Sequence, residues 1–240
     1  MALFSGDGWL FFLRWFHFLA GITWIGILYY FNFVQTPFFA SAEPPVRSGM
    51  IAGGLVERAL WWFRWAAMIT FLTGWLYLLH VMFARYGGVR EFLATAYGWK
   101  ILFGGLLGSL MWFNVWFIIW PAQQVVIASA RQVSKGGQAI TEAAARGQRS
   151  GFASRTNTML SIPMLFFMGA AAHLGMADPT SAGQKIGALI LLAVVMTAAE
   201  INALMGTTGP TKKMLGSLSQ TFWAGFILAA ILYFGLETIF

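Results

Sequence analysis

The sequence has no cysteine. Disulfides, thiolate metal sites and the CxxCH attachment of a c-type haem are thereby excluded, and any redox cofactor must be held by histidine or methionine. Charge is almost as scarce. Asp, Glu, Lys and Arg make up 10% of the 240 residues, against about a quarter in a soluble domain. No stretch outside the apolar runs is long enough to bury a core of its own. Acids are the rarest charged group, 8 against 15 Lys and Arg, which leaves a net charge of +7. That excess falls mainly in connections between apolar runs, where it sets topology and attracts anionic lipid rather than marking nucleic-acid binding.

What is abundant is apolar: 59% hydrophobic residues, with 12 Trp and 23 Phe. A helix needs about 20 apolar residues to cross a hydrocarbon core about 30 Å thick. Six segments qualify: 9–34, 60–83, 98–120, 157–176, 185–205 and 218–239. The expected fold is an all-α polytopic membrane bundle, residues 1–240 forming a single transmembrane domain. An even number of spans puts both termini on one side, and the first span, with no basic leader, does not read as a removable signal peptide. Ten of the 15 Lys and Arg, from Arg47 to Lys213, fall in the first, third and fifth connections and their flanks. The opposite side has Arg14, Arg85, Arg90, Lys100 and Lys185. Positive charge stays in the cytoplasm, so both termini are expected on the extracytoplasmic side. The longest connection, 121–156, is read as a cytoplasmic loop that opens at Pro121 with an amphipathic helix and breaks at Gly136–Gly137.

The chain has three histidines, each on a different span. His17 lies early in the first, and His80 and His173 lie late in the second and fourth, so all three face the extracytoplasmic boundary. Histidine near a span end is commonly an interfacial residue. His17 is deeper, roughly 12 Å inside a helix that begins at Trp9, and a deep ionisable group is a functional candidate. Arg14, His17, Gly21 and Trp24 share one helical face. A flat macrocycle ligated by His17 calls for a missing side chain at Gly21 and a cation at Arg14 for its propionates. His173 likewise has Gly169 one turn deeper, whereas His80 has Leu76. His17 and His173 are therefore expected to be the axial pair of a b-type haem, with His80 as a third candidate ligand of the iron. With one site at one face, the chain has no second histidine pair to carry electrons across the bilayer.

Other readings stay open. Met176 beside His173 and Met82 beside His80 would suit copper(I), which makes a copper-handling or purely structural subunit an alternative. Glu200 in the fifth span is either a proton-handling carboxylate or a helix-packing hydrogen-bond partner. Asn114 must find a partner among aromatics. Arg64 either serves the site or snorkels to the inner face. Gly104 and Gly108 form GxxxG, a spacing that permits close helix contact and a dimer seam, hence an oligomer.

The strings RWFHFLAGITWIGILYYF, WWFRWAAMITFLTGW, FNVWFIIWPAQ and SRTNTMLSIPMLFFMGAAAHL occur in that order. They resemble the membrane domain of the bacterial cytochrome c-linked urate oxidase (urate hydroxylase) family over the first three quarters of the chain. His17, Trp24, Gly26, Asn114, Asn157, Pro163 and His173 match the family pattern. A weaker likeness, His-x3-Gly-x2-Trp-x-Gly, extends to membrane protoporphyrinogen oxidases and copper-resistance membrane proteins. The resemblance implies a multi-pass protein of the bacterial inner membrane, facing the periplasm and passing electrons to a cytochrome c or a redox-complex subunit. The family's fused haem c domain has no counterpart here, and its His-Gly-Gly-Gly-like stretch is replaced by IAGGLVER. The function expected is electron transfer through a b-type haem. The alternative is cytochrome c-linked oxidation of urate or a related small molecule, an oxidoreductase activity for which no acid–base pair is evident.

Overall fold

The computed structural model describes residues 4–240, and among them there is no strand. Five helices are long and apolar enough to cross a membrane: α1 (Gly6–Ser41), α3 (Leu55–Arg85), α5 (Ala96–Ser134), α7 (Ala182–Leu204) and α9 (Leu218–Ile239). Shorter helices α2 (Pro44–Ala52), α4 (Val89–Phe92) and α8 (Pro210–Gly216) lie between them, and α6 (Ala143–His173) completes the set. Their starts are written in local chemistry. Ser5, Thr95 and Ser217 accept a hydrogen bond from a first-turn amide of α1, α5 and α9, and Ser181 with Gln184 forms a reciprocal capping box on α7. Ile22, Val194, Trp223 and Phe234 remain more than half exposed, an outer surface suited to hydrocarbon rather than water.

The apolar runs expected from sequence fall within these helices, with two differences. The expected loop 121–156 is mostly helical. Trp120–Ser134 continues α5, Gly136 turns the chain with φ +85°, and α6 starts at Ala143. The fourth expected span, 157–176, takes in the outer half of α6 and runs three residues past its end at His173, and the 31 residues of α6 are not apolar enough to count with the other five. The reason is its place in the bundle. It packs against α1, α5, α7 and α9, and Ser150, Thr156, Asn157, Thr158 and Ser161 are buried. All of these but Thr156, whose hydroxyl has no partner, are matched by hydrogen bonds within the protein.

The core runs along α6, with Phe103, Leu107 and Met111 of α5, Leu160 and Phe167 of α6, Leu192 of α7 and Leu232 of α9 all buried. Pro163 has no amide, so the carbonyl of Met159 lacks its helical donor. Gly225 of α9 closes on that carbonyl. A Cβ at 225 would stand 2.7 Å from the Met159 oxygen and 2.5 Å from Ile162 Cδ1. Three π-helical turns interrupt the long helices, at Tyr30–Gln35, Val81–Arg85 and Asn114–Ile119. Arg64 is half-buried against the inner end of α5. Its guanidinium lies 3.9 Å from the ring centre of Trp120 and 5.2 Å from that of Trp116, a cation–π seat that offsets part of its desolvation.

Candidate functional site

α1 and α3 pack antiparallel, and their contacts fix the surroundings of His17. Asp7 pairs with Arg85 at 3.5 Å near one end, and Phe31 meets Phe63 at 5.5 Å between ring centres toward the other. Between them, His17 Nδ1 lies 2.9 Å from the carbonyl oxygen of Thr70. A carbonyl only accepts, so Nδ1 carries the proton and Nε2 keeps its lone pair. This is the orientation in which a ligating histidine is normally held, with its other nitrogen bonded to a fixed acceptor. Gly74 makes the seat, since a Cβ there would stand 2.8 Å from His17 Cε1. Thr73 Oγ1 lies 3.4 Å from the same Nδ1. Thr70, Thr73 and Gly74 are not singled out by the sequence. Their only signal is a run of small residues in TFLTGW on one side of an otherwise bulky helix.

The three histidines stand at one end of the bundle. α1 and α6 touch nearer the opposite end, where Tyr29 Oη lies 2.9 Å from Ser161 Oγ and Asn32 Nδ2 donates to Ser154 Oγ at 2.8 Å. Going outward along each helix from the Tyr29–Ser161 contact, twelve residues reach His17 on α1 and His173 on α6. At 1.5 Å per residue both are about 18 Å from that contact, which matches their heights. His173 is exposed at the last position of α6, and His80 is half-buried just before the π-helical turn that buries Met82. Neither makes a hydrogen bond among the described residues, and no histidine bonds another. Nor do the described residues include any group of three or more His, Asp or Glu placed to hold a metal ion. An iron here would depend on a macrocycle for its remaining ligands.

The other site residues divide by what they touch. Trp24, two turns below His17, is buried with its Nε1 unpartnered. Gly21 faces α3, where a Cβ would make an ordinary 3.9 Å contact with Thr70 Cγ2, whereas a Cβ at Gly169 would meet nothing within 4 Å. Arg14 is engaged, donating from Nη2 to the Tyr77 hydroxyl with its guanidinium carbon 4.9 Å from that ring's centre. The cation beside His173 is Lys100, buried, with Nζ donating to the Leu174 carbonyl. A porphyrin held at His17 would find one nitrogen of fixed tautomer, whereas Gly169 and His173 lie on the exposed surface of α6 and Arg14 and Lys100 already have partners.

Deeper in the bundle, Asn157 Nδ2 donates to the Met111 carbonyl at 2.9 Å, which turns Asn157 Oδ1 toward Asn114. Asn114 Nδ2 then donates to Asn157 Oδ1 and to Glu200 Oε2, each at 3.0 Å. Glu200 thus serves as a hydrogen-bond partner joining α7 to α5. Asn114 Oδ1 and Glu200 Oε1 are left buried without partners. The GxxxG stripe on α5 is filled from within the chain. Cβ atoms at Gly104 and Gly108 would stand 3.1 Å from Met168 Cε and 3.7 Å from Met164 Cγ of α6, so these glycines seat α6 and do not form a dimer seam.

A family model described as Urate oxidase N-terminal matches residues 79–235, well over half of the chain. Comparison with curated proteins and with solved structures finds no match.

Proposed function

Because the chain belongs to the urate oxidase N-terminal family, we propose that it is the membrane module of a urate-oxidase-type oxidoreductase, holding one b-type haem at the histidine-bearing end of the bundle. The observation that carries this reading is the Thr70 carbonyl bonded to His17 Nδ1, which leaves Nε2 as the ligand nitrogen. His173, at matching height on α6, would be the second residue to hold the haem, with His80 near the same end as a third candidate. Lys100 and Arg14 offer positive charge to the propionates. The bound haem would supply a one-electron couple, and the chain's part is to fix the ligand tautomer and exclude water from the ring. The distribution of Lys and Arg supports an inner-membrane protein with this end facing the periplasm, where a cytochrome c or redox-complex subunit would accept the electron.

The test is a pyridine haemochrome spectrum of the purified protein. About one b haem per chain is expected, lost in His17→Ala. A preparation without stoichiometric haem overturns the proposal, and copper that falls in Met176→Leu would point to metal handling instead. The family match favours a second reading, cytochrome c-linked oxidation of urate, which predicts urate-dependent cytochrome c reduction in membranes containing the chain.

A further inference from the structure

At the end of the bundle opposite the histidines, α1, α2, α3, α5, α6 and α8 enclose an open cleft of about 410 Å³, within the range of small-molecule sites. Its walls are largely apolar, with Phe31, Phe39, Leu60 and Ile119 among them. Arg155 of α6 is the one charged side chain in the lining, which has no Asp or Glu. Arg155 is half-buried and forms no ion pair, hydrogen bond or ring contact among the described residues, and its Nη1 is buried without a partner. A guanidinium cannot shed its proton, so an anion is the partner that this wall lacks.

The depth of Arg155 points to where that anion comes from. It stands 18 residues before His173 on α6, about 27 Å along the axis, and a hydrocarbon core is about 30 Å thick. With His173 near one boundary, Arg155 is near the other, at the level of lipid phosphates. The lining is layered to match: Phe31, Leu60 and Ile119 belong to the long apolar runs, whereas Gln35 and Gln123 lie just past the ends of theirs. This end also carries uncompensated positive charge. Glu57 and Glu142 are engaged by Arg131 and Arg146, while Arg47, Arg58 and Arg149 are exposed and without an ion pair among the described residues, a surface that attracts anionic lipid. We propose that this cleft holds one anionic phospholipid, its phosphate received by the Arg155 guanidinium and the upper part of an acyl chain laid along the apolar wall. Phosphatidylcholine would bring an ammonium for which the lining has no carboxylate, whereas phosphatidylglycerol carries the phosphate charge alone. The site lies at the other end of the bundle from the haem, and its assignment does not depend on that cofactor.

The experiment is native mass spectrometry of the full chain released from maltoside micelles, with an equimolar mixture of dioleoyl phosphatidylglycerol and dioleoyl phosphatidylcholine as the probe. One phosphatidylglycerol per chain is expected, retained in preference to phosphatidylcholine. Losing a charge-assisted hydrogen bond corresponds to about tenfold or more in affinity, so Arg155→Gln should weaken retention by that factor. Arg149→Gln, at an exposed arginine of the same helix, should change it far less. Gly151 lines the cleft, and a Cβ there would meet nothing within 4 Å. Gly151→Trp is therefore expected to keep the fold, obstruct the cleft and release the lipid with every charge in place. Circular dichroism and elution volume establish that each variant is folded. No preference for phosphatidylglycerol in the parent chain, or retention that survives Arg155→Gln, overturns the site. Equal losses in Arg149→Gln and Arg155→Gln would make the preference a diffuse surface attraction and overturn it too, and full retention in Gly151→Trp would place the lipid elsewhere. Glycerophosphate added in excess should leave the lipid bound, and displacement would identify a soluble phosphate as the occupant and overturn the lipid assignment.

Discussion

His17 is placed by a residue it does not hydrogen-bond. Gly74 leaves the space in which the imidazole reaches the Thr70 carbonyl, and an added Cβ would collide with the ring rather than with backbone. Gly74→Ala is therefore expected to preserve the fold and displace the imidazole. If the proposed haem is held by His17, the visible spectrum of the loaded protein should shift or bleach while its helical circular dichroism stays unchanged. Glu200 poses a different question, since its Oε1 and Asn114 Oδ1 are both buried acceptors with no donor. Glutamine at 200 can accept from Asn114 with its oxygen and donate back with its nitrogen, filling both vacancies. In thermal unfolding in detergent, Glu200→Gln should match or exceed the parent chain. Asn157→Leu should lower stability by about 1–3 kcal/mol, because it removes the side-chain donor to the Met111 carbonyl and one of the two acceptors of Asn114 Nδ2 in the core.

At the scale of elements, the helix pair α6 and α9 depends on the carbonyl that Pro163 sets free. Gly225 covers it so closely that a methyl group has nowhere to go: the Met159 oxygen is backbone and cannot swing aside. Gly225→Ala should separate the helices and lower stability by roughly 1–3 kcal/mol, measured by the same melting experiment. Pro163 was visible in the sequence, but its partner was not, because nothing in a single chain says which helix will lie against position 159. The same limit explains what was and was not legible elsewhere. α1, α3, α5, α7 and α9 could be read directly, because lipid demands an unbroken apolar run and the sequence supplies one. The true length of α6 was hidden, because its inner half carries exposed polar residues such as Arg146, Gln148 and Arg149 along with buried Ser150 and Asn157, which interrupt the apolar pattern without interrupting the helix. The common end of His17, His80 and His173 followed from threading alone. The seat at Thr70 and Gly74 required the register between α1 and α3, which tertiary packing sets.

At the scale of the whole molecule, the asymmetry of Lys and Arg predicts which end faces the cytoplasm, and the lack of cysteine provides a clean test. Gln138 lies exposed between α5 and α6, and Ala177 lies exposed beyond α6 near the histidine end. With a single cysteine introduced by Gln138→Cys, an impermeant maleimide should label only inverted vesicles, and with Ala177→Cys it should label intact spheroplasts. The reverse pattern would place the histidines in the cytoplasm and remove the periplasmic acceptor. The buried polar strip of α6 also bears on biogenesis. A segment that hydrocarbon solvates poorly has no favourable resting place while its companions are still being synthesised, so it should leave the insertion machinery only together with α7 and α9, as one late cooperative release.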